Sequence, residues 1–396
     1  MDRARQHDIV LVLQGGGALG SYQAGVFEAL AAEGVMPNAV GGISIGAINA
    51  ALIAGNAPGE RVARLREFWE RVSSGLPAPA WTPDSYAHRW LNSLAAAQAL
   101  FFGVPGFFTP RLPPAPLQPR GTLGAISYYD TTPLKDTLER LLDFERLNSG
   151  ELHLAVGAVN VRTGNLTYFD SAKQRLDVRH IMASGAMPPG FPPVEIDGEF
   201  YWDGGLASNT PLDYVLEQCG NAHRVVFQVD LFPARGFFPP TMERVAEREK
   251  DIRYSSRTRL NTDMDVARRR AAAAAMRLMD KLPPELRADP DARQVMDVLR
   301  ANAVSLDIVQ LIYRAKRYEN HAKDYEFSRL TMREHWASGH ADVLQTLHDP
   351  RWTGRGPAEA YGVRVFDLVS PERTAAVAAV VDPAAAPTGV FNYESA

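Results

Sequence analysis

A serine at position 44 stands between two glycines in the run Gly42-Ile43-Ser44-Ile45-Gly46. This Gly-x-Ser-x-Gly spacing is typical of a sharp turn from a strand into a helix, where the serine hydroxyl is presented outward as a nucleophile. The flanking glycines lack side chains, so strand and helix can approach each other at the strained turn. The run is also compatible with an ordinary Gly/Ser turn, so its interpretation depends on the rest of the chain.

A glycine-rich loop at residues 15–20 lies one strand before this serine. It follows an apolar run at 8–13 and precedes residues with helical spacing, which predicts strand, loop and helix in that order. Such a loop leaves backbone N–H groups unpaired at a helix N-terminus, where they bind an anion. We expect an oxyanion hole made by the central pair of glycines or their neighbours. The predicted donors are the backbone N–H groups of Gly15, Gly16, Gly17 and Ala18.

The same loop satisfies the dinucleotide-binding fingerprint Gly15-x-Gly17-x-x-Gly20, which makes a nucleotide-binding oxidoreductase the rival function. In that class an acidic residue ends the second strand, where it binds the ribose. Here the second predicted strand, near Val40, ends in Ser44. A Walker-type phosphate loop is excluded because no Lys-Ser or Lys-Thr follows Gly20. We therefore interpret the bound anion as an oxyanion formed at a carbonyl.

A candidate base, Asp203, follows a predicted hairpin whose turn is Asp197-Gly198. Gly204 and Gly205 come directly after it and permit a backbone turn with positive φ. By itself an Asp in this position is also explained as a residue that organises its own turn. Its pairing with a serine nucleophile favours a catalytic role.

A Ser-His-Asp esterase is a further alternative, because α/β-hydrolases place their triad in the order Ser, acid, His. None of the histidines after the candidate base lies in a distinctive loop, which favours a mechanism without histidine. These histidines are His223, His321, His335, His340 and His348.

The three motifs, in this order and spacing, resemble those of the patatin-like phospholipases, a family of lipid acyl hydrolases. The resemblance covers roughly residues 8–230 and includes the segment 183–193 before the aspartate. It implies that Ser44 is the nucleophile, that Asp203 is its only catalytic partner and that the glycine loop is the oxyanion hole. One departure is Leu19, where many members carry Arg or Lys. The glycines expected to support the motifs are Gly20, Gly42, Gly46, Gly204 and Gly205.

The implied reaction is a two-step acyl transfer from a lipid ester through an acyl-enzyme, and the identity of the lipid stays open. Asp203 must accept the serine proton. A carboxylate with its ordinary pKa of about 3.9 is a weak base, so we expect desolvation to raise this pKa. No cofactor or metal is expected, because His335 and His340 lack the spacing of a helical zinc site and Cys219 is the only cysteine.

The elements that must position these residues follow an α/β pattern, with strands expected at 8–13, 38–41, 152–159 and 225–231. Together with the resemblance, this predicts a three-layer α/β/α patatin-like domain. We assign residues 1–232 to that catalytic domain. We assign residues 233–396 to a mainly helical extension that resembles one in a bacterial-type subgroup of the family. Within it we expect helices at 303–317 and 328–347, a strand at 363–366 and a loosely ordered tail at 375–396.

Two segments are candidates for contact with lipid. Residues 101–119 hold six prolines and four phenylalanines, which predicts either a lid or acyl-contact loop, or a loop packed on the core. Residues 244–281 hold eleven Lys/Arg against six Asp/Glu, which predicts a basic helix. That helix is either solvated or in peripheral contact with an anionic membrane.

Composition favours a soluble enzyme, since 46% of the 396 residues are hydrophobic and no apolar run has the length of a membrane helix. The polar N-terminus is not typical of a signal peptide, and a single cysteine gives no sign of an oxidising compartment. We therefore expect a cytoplasmic location, with any membrane contact peripheral. A pI of 6.2 and the lack of a recognisable module argue against nucleic-acid binding. The oligomeric state stays open.

Overall fold

The computed structural model describes residues 8–75, 85–218, 223–236, 238–300, 305–316, 319, 321–358 and 361–369. Within them the strands are β1 (Asp8–Leu13), β2 (Ala39–Ile43), β3 (Thr109–Pro110), β4 (Tyr129–Asp130), β5 (His153–Asn160), β6 (Leu166–Asp170), β7 (Val194–Ile196), β8 (Glu199–Asp203), β9 (Arg224–Asp230), β10 (Ser305–Ile312) and β11 (Gly362–Asp367). The helices are α1 (Gly20–Ala32), α2 (Ile45–Ala54), α3 (Arg61–Val72), α4 (Ser85–Phe102), α5 (Thr132–Leu141), α6 (Phe144–Leu147), α7 (Val178–Ser184), α8 (Leu212–Gln218), α9 (Met242–Met279), α10 (Pro284–Arg287), α11 (Pro290–Arg300), α12 (Arg329–Leu347) and α13 (Pro350–Thr353).

Short apolar runs form the centre of one sheet, as expected for strands that are covered on both faces. The strand order is β11-β10-β9-β1-β2-β5-β8-β7, and β6 also pairs with β5. The strands from β11 to β5 run parallel, whereas β6 and β8 pair antiparallel with β5. Leu13 at the end of β1 pairs with Gly42 of β2. The glycine loop and the serine turn therefore leave the sheet side by side, at the edge where α/β sheets bind their ligands.

Helices cover both faces of this sheet. Side chains alternate along β1: Leu11 and Leu13 pack with α1, α2, α3 and α12, whereas Val10 and Val12 pack with α8 and α9 on the opposite face. The predicted three-layer α/β/α fold is confirmed. None of the described helices is long and apolar enough to cross a membrane.

The sheet continues beyond residue 232, because β10 pairs with β9 and β11 pairs with β10. The predicted domain boundary therefore does not coincide with an edge of the sheet, and the division into two domains stays a prediction. The helix predicted over 303–317 is wrong, since 305–312 form β10. Parallel pairing beside β9 and burial override the helical preference of this apolar run. The helix predicted at 328–347 and the strand at 363–366 are confirmed as α12 and β11. The predicted loose tail lies outside the described residues, as does Cys219.

Candidate active site

Ser44 occupies the turn between β2 and α2 with φ 57° and ψ −123°. A positive φ is strained for a residue with a Cβ atom, and backbone strain of this kind is concentrated at functional sites. The two glycines of the motif make the turn possible. A Cβ on Gly42 would overlap the carbonyl oxygen of Gly46, and a Cβ on Gly46 would overlap that of Leu13. The predicted strand-turn-helix context of the serine is present.

The strained backbone of Ser44 is held by a residue that sequence reasoning missed. Its N–H donates to both the carbonyl oxygen and the Oγ of Ser184, each at 3.1 Å. Ser184 is fully buried at the end of α7, and its hydroxyl donates to the carbonyl oxygen of Gly157 in β5 at 2.7 Å. The serine turn is thus tied to the neighbouring strand. Only the folded chain brings residues 44, 157 and 184 together.

Asp203 ends β8 and is completely buried. The hairpin before it has the predicted turn, with Asp197 and Gly198 both at positive φ. The N–H of Asp203 donates to the carbonyl oxygen of Ala186 at 3.0 Å, and its Oδ1 accepts from the N–H of Gly205 at 2.7 Å. The side chain is therefore fixed by the 3₁₀ turn Gly204–Leu206. Neither Gly204 nor Gly205 has the positive φ expected from the sequence.

The structure brings Asp203 and Ser44 together. Burial raises the pKa of Asp203 to about 7, although the Ser44 hydroxyl and the Gly205 N–H favour the ionised form and act in the opposite direction. Asp203 Oδ2 is buried and forms no fully aligned hydrogen bond with the described residues, so it retains acceptor capacity for a proton. The hydrogen bond between a serine nucleophile and its base often tightens only when a substrate binds.

The glycine loop adjoins the serine, because a Cβ on Gly15 would lie 3.0 Å from Ser44 Cβ. Two of its four predicted oxyanion donors are already engaged. The N–H of Gly15 donates to Asn209 O at 3.2 Å, and that of Ala18 donates to Asp324 O at 2.8 Å. These two N–H groups already have acceptors within the protein, and the oxyanion hole stays a prediction.

The N–H groups of Gly16 and Gly17 make no hydrogen bond within the described part of the chain. They lie at the start of the 3₁₀ turn Gly17–Leu19 that leads into α1, and the φ of Gly17 is 55°. Donors free at the entry to a helix are suited to a developing negative charge. Of the four predicted donors, the N–H groups of Gly16 and Gly17 are therefore the ones without an acceptor in the described part of the chain.

Asn209 joins the glycine loop to the aspartate turn, and nothing in the sequence singled it out. Its Nδ2 donates to Gly15 O at 3.0 Å, and its backbone carbonyl oxygen accepts from the Gly15 N–H. A Cβ on Gly205 would lie 2.9 Å from Asn209 Oδ1. A Cβ on Gly15 would overlap the same oxygen, so a larger residue at either position would have to displace this buried amide.

A network of buried amides supports the loop from below. Gln14 Oε1 accepts from the N–H groups of Leu231 and Phe232, at 2.6 and 3.1 Å. Gln23 Nε2 donates to Gln14 O at 2.7 Å, and Asn49 Nδ2 donates to Gln23 Oε1 at 2.9 Å. Each amide side chain of this network has a hydrogen-bond partner, so the network fixes the glycine loop to α1, α2 and the end of β9.

A segment from the C-terminal part of the chain, residues 321–327, also contacts the glycine loop. Asp324 provides the carbonyl oxygen that Ala18 binds, and a Cβ on Gly17 would overlap that oxygen. Two lysine contacts with α9 hold the segment. Lys250 pairs with the Asp324 carboxylate at 2.6 Å, and the buried Lys323 pairs with Asp251 at 2.7 Å. The loop is therefore shaped partly by residues beyond the predicted catalytic domain.

No histidine hydrogen-bonds to Ser44 or Asp203 among the described residues. His335 is buried and paired with Glu319 at 2.6 Å, and His223 contacts Ser305 at the start of β10. In the same described part of the chain, no group of three or more His, Cys, Asp or Glu is placed to hold a metal ion.

Family models match two parts of this chain. A model described as patatin-like phospholipase matches residues 11–216, and one described as patatin phospholipase matches residues 252–359. No curated protein sequence matches the chain.

The solved structures that resemble this chain include two remote likenesses. VipD from Legionella pneumophila is 15% identical over 86% of this chain and 67% of its own, with a TM-score of 0.36. A chain of the SpcU complex with ExoU, from the type III secretion system of Pseudomonas aeruginosa, is 14% identical over 75% of this chain and 70% of its own, with a TM-score of 0.27. Both TM-scores are low, so the family assignment rests on the two family models.

Proposed function

We propose, from the premise that this chain belongs to the patatin-like phospholipase family, that it is a serine lipid acyl hydrolase of the phospholipase A, lysophospholipase or esterase type. Ser44 is the nucleophile and Asp203 the general base of a dyad. The N–H groups of Gly16 and Gly17 form the oxyanion hole. One observation carries the proposal: a fully buried carboxyl group, with its pKa raised to about 7, lies beside a serine on a strained turn.

In the first step the Ser44 Oγ attacks the carbonyl carbon of the ester while Asp203 takes the hydroxyl proton. The negative charge that develops on the carbonyl oxygen is stabilised by the two loop N–H groups. As the tetrahedral intermediate collapses, Asp203 returns the proton to the departing alcohol and leaves an acyl-enzyme. Water then attacks the acyl carbon while Asp203 takes a proton from it. Asp203 returns that proton to the Ser44 Oγ as the carboxylic acid is released.

A pKa of about 7 suits both halves of this cycle. At neutral pH the carboxyl group is ionised in a large fraction of molecules, yet it holds a proton well enough to return it. An exposed aspartate with its ordinary pKa would be a far weaker base. A histidine is therefore not required, which favours the dyad over the Ser-His-Asp alternative.

The nucleotide-binding alternative gains no support from the site. β2 ends at Ile43 and the chain turns directly into Ser44, so no acidic residue stands where a ribose would be bound. Asn209 and Asp324 already occupy the N–H groups of Gly15 and Ala18.

Labelling with a fluorophosphonate probe tests the proposal, because such probes react with activated serines. We expect labelling of the wild-type protein, loss of labelling in Ser44→Ala, and unchanged labelling in the matched control Ser338→Ala on α12. Hydrolysis of a soluble short-chain ester should follow the same pattern. A folded wild-type protein that neither labels nor hydrolyses esters would refute the assignment.

A further inference from the structure

Large apolar side chains are exposed together between residues 90 and 128. The phenylalanines of the Pro-rich segment divide into two pairs. Phe107 and Phe108 are buried, whereas Phe101 and Phe102 are 75% and 76% exposed at the end of α4. The exposed set, which we term the apolar face, comprises Trp90, Leu94, Leu100, Phe101, Phe102, Leu112, Leu117, Leu123, Ile126 and Tyr128.

The apolar face is held in place by ordered backbone. The Tyr129 hydroxyl donates to Leu100 O at 2.8 Å, which fixes the end of α4 against β4. β3 pairs with β4, and the N–H of Arg111 donates to Tyr128 O at 3.0 Å. Arg111 Nε also donates to Ser127 Oγ at 2.9 Å. The end of α4, β3 and the turns at 115–126 therefore form one surface.

The charge of this region is one-sided. No Asp or Glu occurs between Asp84 and Asp130, and the basic residues in that interval are Arg89, Arg111 and Arg120. Arg111 interacts with the Asp130 carboxylate at the end of β4, whereas Arg120 is exposed. A surface of aromatic and aliphatic side chains with an exposed arginine and few carboxylates matches a lipid interface. Its apolar groups enter the boundary of the acyl chains, and its cations attract anionic headgroups.

The apolar face is connected to the candidate active site by the loop at 186–191. The N–H groups of Tyr128 and Tyr129 donate to Pro189 O and Gly190 O, at 3.1 and 2.9 Å. The buried Phe108 packs against Phe191 at 5.2 Å between ring centroids. Ala186 accepts the hydrogen bond of the Asp203 N–H. The face and the proposed base are therefore parts of one continuous structure.

The basic helix α9 offers a poorer lipid contact than its sequence indicates. Arg269 is buried and paired with Asp265 at 2.6 Å, and Lys250 is paired with Asp324. Arg248 donates to the carbonyl oxygens of residues 233 and 234. Much of the positive charge of α9 is therefore used within the protein.

We infer that the apolar face is the surface by which this protein docks on a lipid bilayer. The inference rests on the proposed function, since docking there brings the loop beside Asp203 to the layer that contains the substrate. Phe101 and Phe102 are the main inserting residues, and Arg120 adds attraction to anionic headgroups.

Vesicle co-sedimentation tests the inference in a Ser44→Ala background, in which the lipid is not consumed. Phe101→Asp/Phe102→Asp removes two inserting rings and adds repulsion. The matched control Met264→Asp/Leu278→Asp changes two side chains on α9 that are each 62% exposed. Vesicles of phosphatidylcholine, with and without phosphatidylglycerol, are the probe. Circular dichroism and thermal unfolding establish that each variant is folded.

We expect the phenylalanine variant to lose at least roughly tenfold in vesicle affinity and the α9 variant to bind like the parent. Arg120→Gln should weaken binding only to vesicles that contain phosphatidylglycerol. Unchanged binding of the phenylalanine variant, or loss confined to the α9 variant, would overturn the inference. So would a finding by analytical ultracentrifugation that the phenylalanine substitutions dissociate a dimer without affecting vesicle binding.

Failure of this inference is distinguishable from failure of the proposed function. Hydrolysis of a soluble ester by the wild-type protein, absent in Ser44→Ala, reports on catalysis without any bilayer. Vesicle binding by Ser44→Ala reports on docking without catalysis.

Discussion

At the scale of single residues, the site depends on two groups that are held in unfavourable states. Ser44 has a positive φ that only its anchoring to Ser184 and the two motif glycines sustains. Asp203 is buried and has no ion-pair partner among the described residues, so its ionised form is destabilised. Both costs fall on residues with proposed catalytic roles, which is typical of functional sites.

The buried carboxyl group of Asp203 should make the free energy of unfolding depend on pH. Its pKa is raised in the folded state, so the folded protein binds this proton more tightly than the unfolded chain does. The favourable contribution of the proton is present at low pH and is lost as pH rises through about 7. Asp203→Asn removes this dependence. We expect the variant to exceed the wild type in free energy of unfolding at pH 8 by roughly 2–4 kcal/mol, and by less at pH 5.

Urea unfolding at the two pH values measures this difference. Asp230 offers a matched control, because it is also buried and its pKa is also raised to about 7. Asp230→Asn should stabilise the protein in the same direction while leaving the labelling of Ser44 intact. A destabilised Asp203→Asn at pH 8 would show that the carboxylate is compensated in the folded state.

At the scale of elements, the glycine loop is positioned from three directions. The amide network reaches it from α1 and α2, Asn209 reaches it from the aspartate turn, and the segment 321–327 reaches it from the C-terminal part. The last of these depends on Lys323, whose side chain is fully buried between α9 and the loop. It pairs with Asp251 and also contacts Glu247 at 3.5 Å.

Lys323→Met should destabilise the protein strongly, because it leaves the buried Asp251 without its ion-pair partner, whereas Glu247 keeps its pair with Arg244. We expect the free energy of unfolding to fall by about 3–5 kcal/mol. Arg253→Met, which breaks an exposed pair with Glu249 on the same helix, should cost less than about 1 kcal/mol. Urea denaturation of the two variants makes the comparison. Equal small effects would mean that the segment 321–327 is not held by this ion pair.

Local patterns predicted most of the elements and the three motifs, because each depends on residues close in sequence. The strand-turn-helix at Ser44, the hairpin before Asp203 and the helix at 328–347 are of this kind. Ser184 and Asn209 were missed because their contacts join distant parts of the chain. The occupied N–H of Ala18 was missed for the same reason, since its acceptor lies about 300 residues away. β10 was predicted as a helix because the hydrophobic periodicity of a short buried apolar run does not distinguish a strand from a helix.

At the scale of the whole molecule, the sheet crosses the predicted boundary at residue 232, and the glycine loop is contacted by residues beyond that boundary. β10 and β11 extend the sheet beyond β9. α12 packs closely on α1, where a Cβ on Gly25 would overlap Trp336 O and a Cβ on Gly339 would overlap Tyr22 O. The C-terminal part therefore completes both the core and the site.

Residues 1–232 expressed alone should not form a stable domain. Such a fragment would expose the edge of β9 and the face of α1 that α12 covers, and Ala18 would lose its acceptor. We expect no cooperative urea transition by circular dichroism and no labelling of Ser44. A fragment that unfolds cooperatively and still labels would support the predicted division into two domains.

The rate of fluorophosphonate labelling as a function of pH tests the central claim, that Ser44 and Asp203 act as a dyad, most directly. The base must be ionised to accept the serine proton, so the rate should rise with pH through an apparent pKa of about 7 and then level off. Asp203→Asn should abolish this reaction, whereas Asp230→Asn and single histidine substitutions should leave the profile in place. A profile that survives Asp203→Asn, or that disappears when one histidine is replaced, would contradict the dyad.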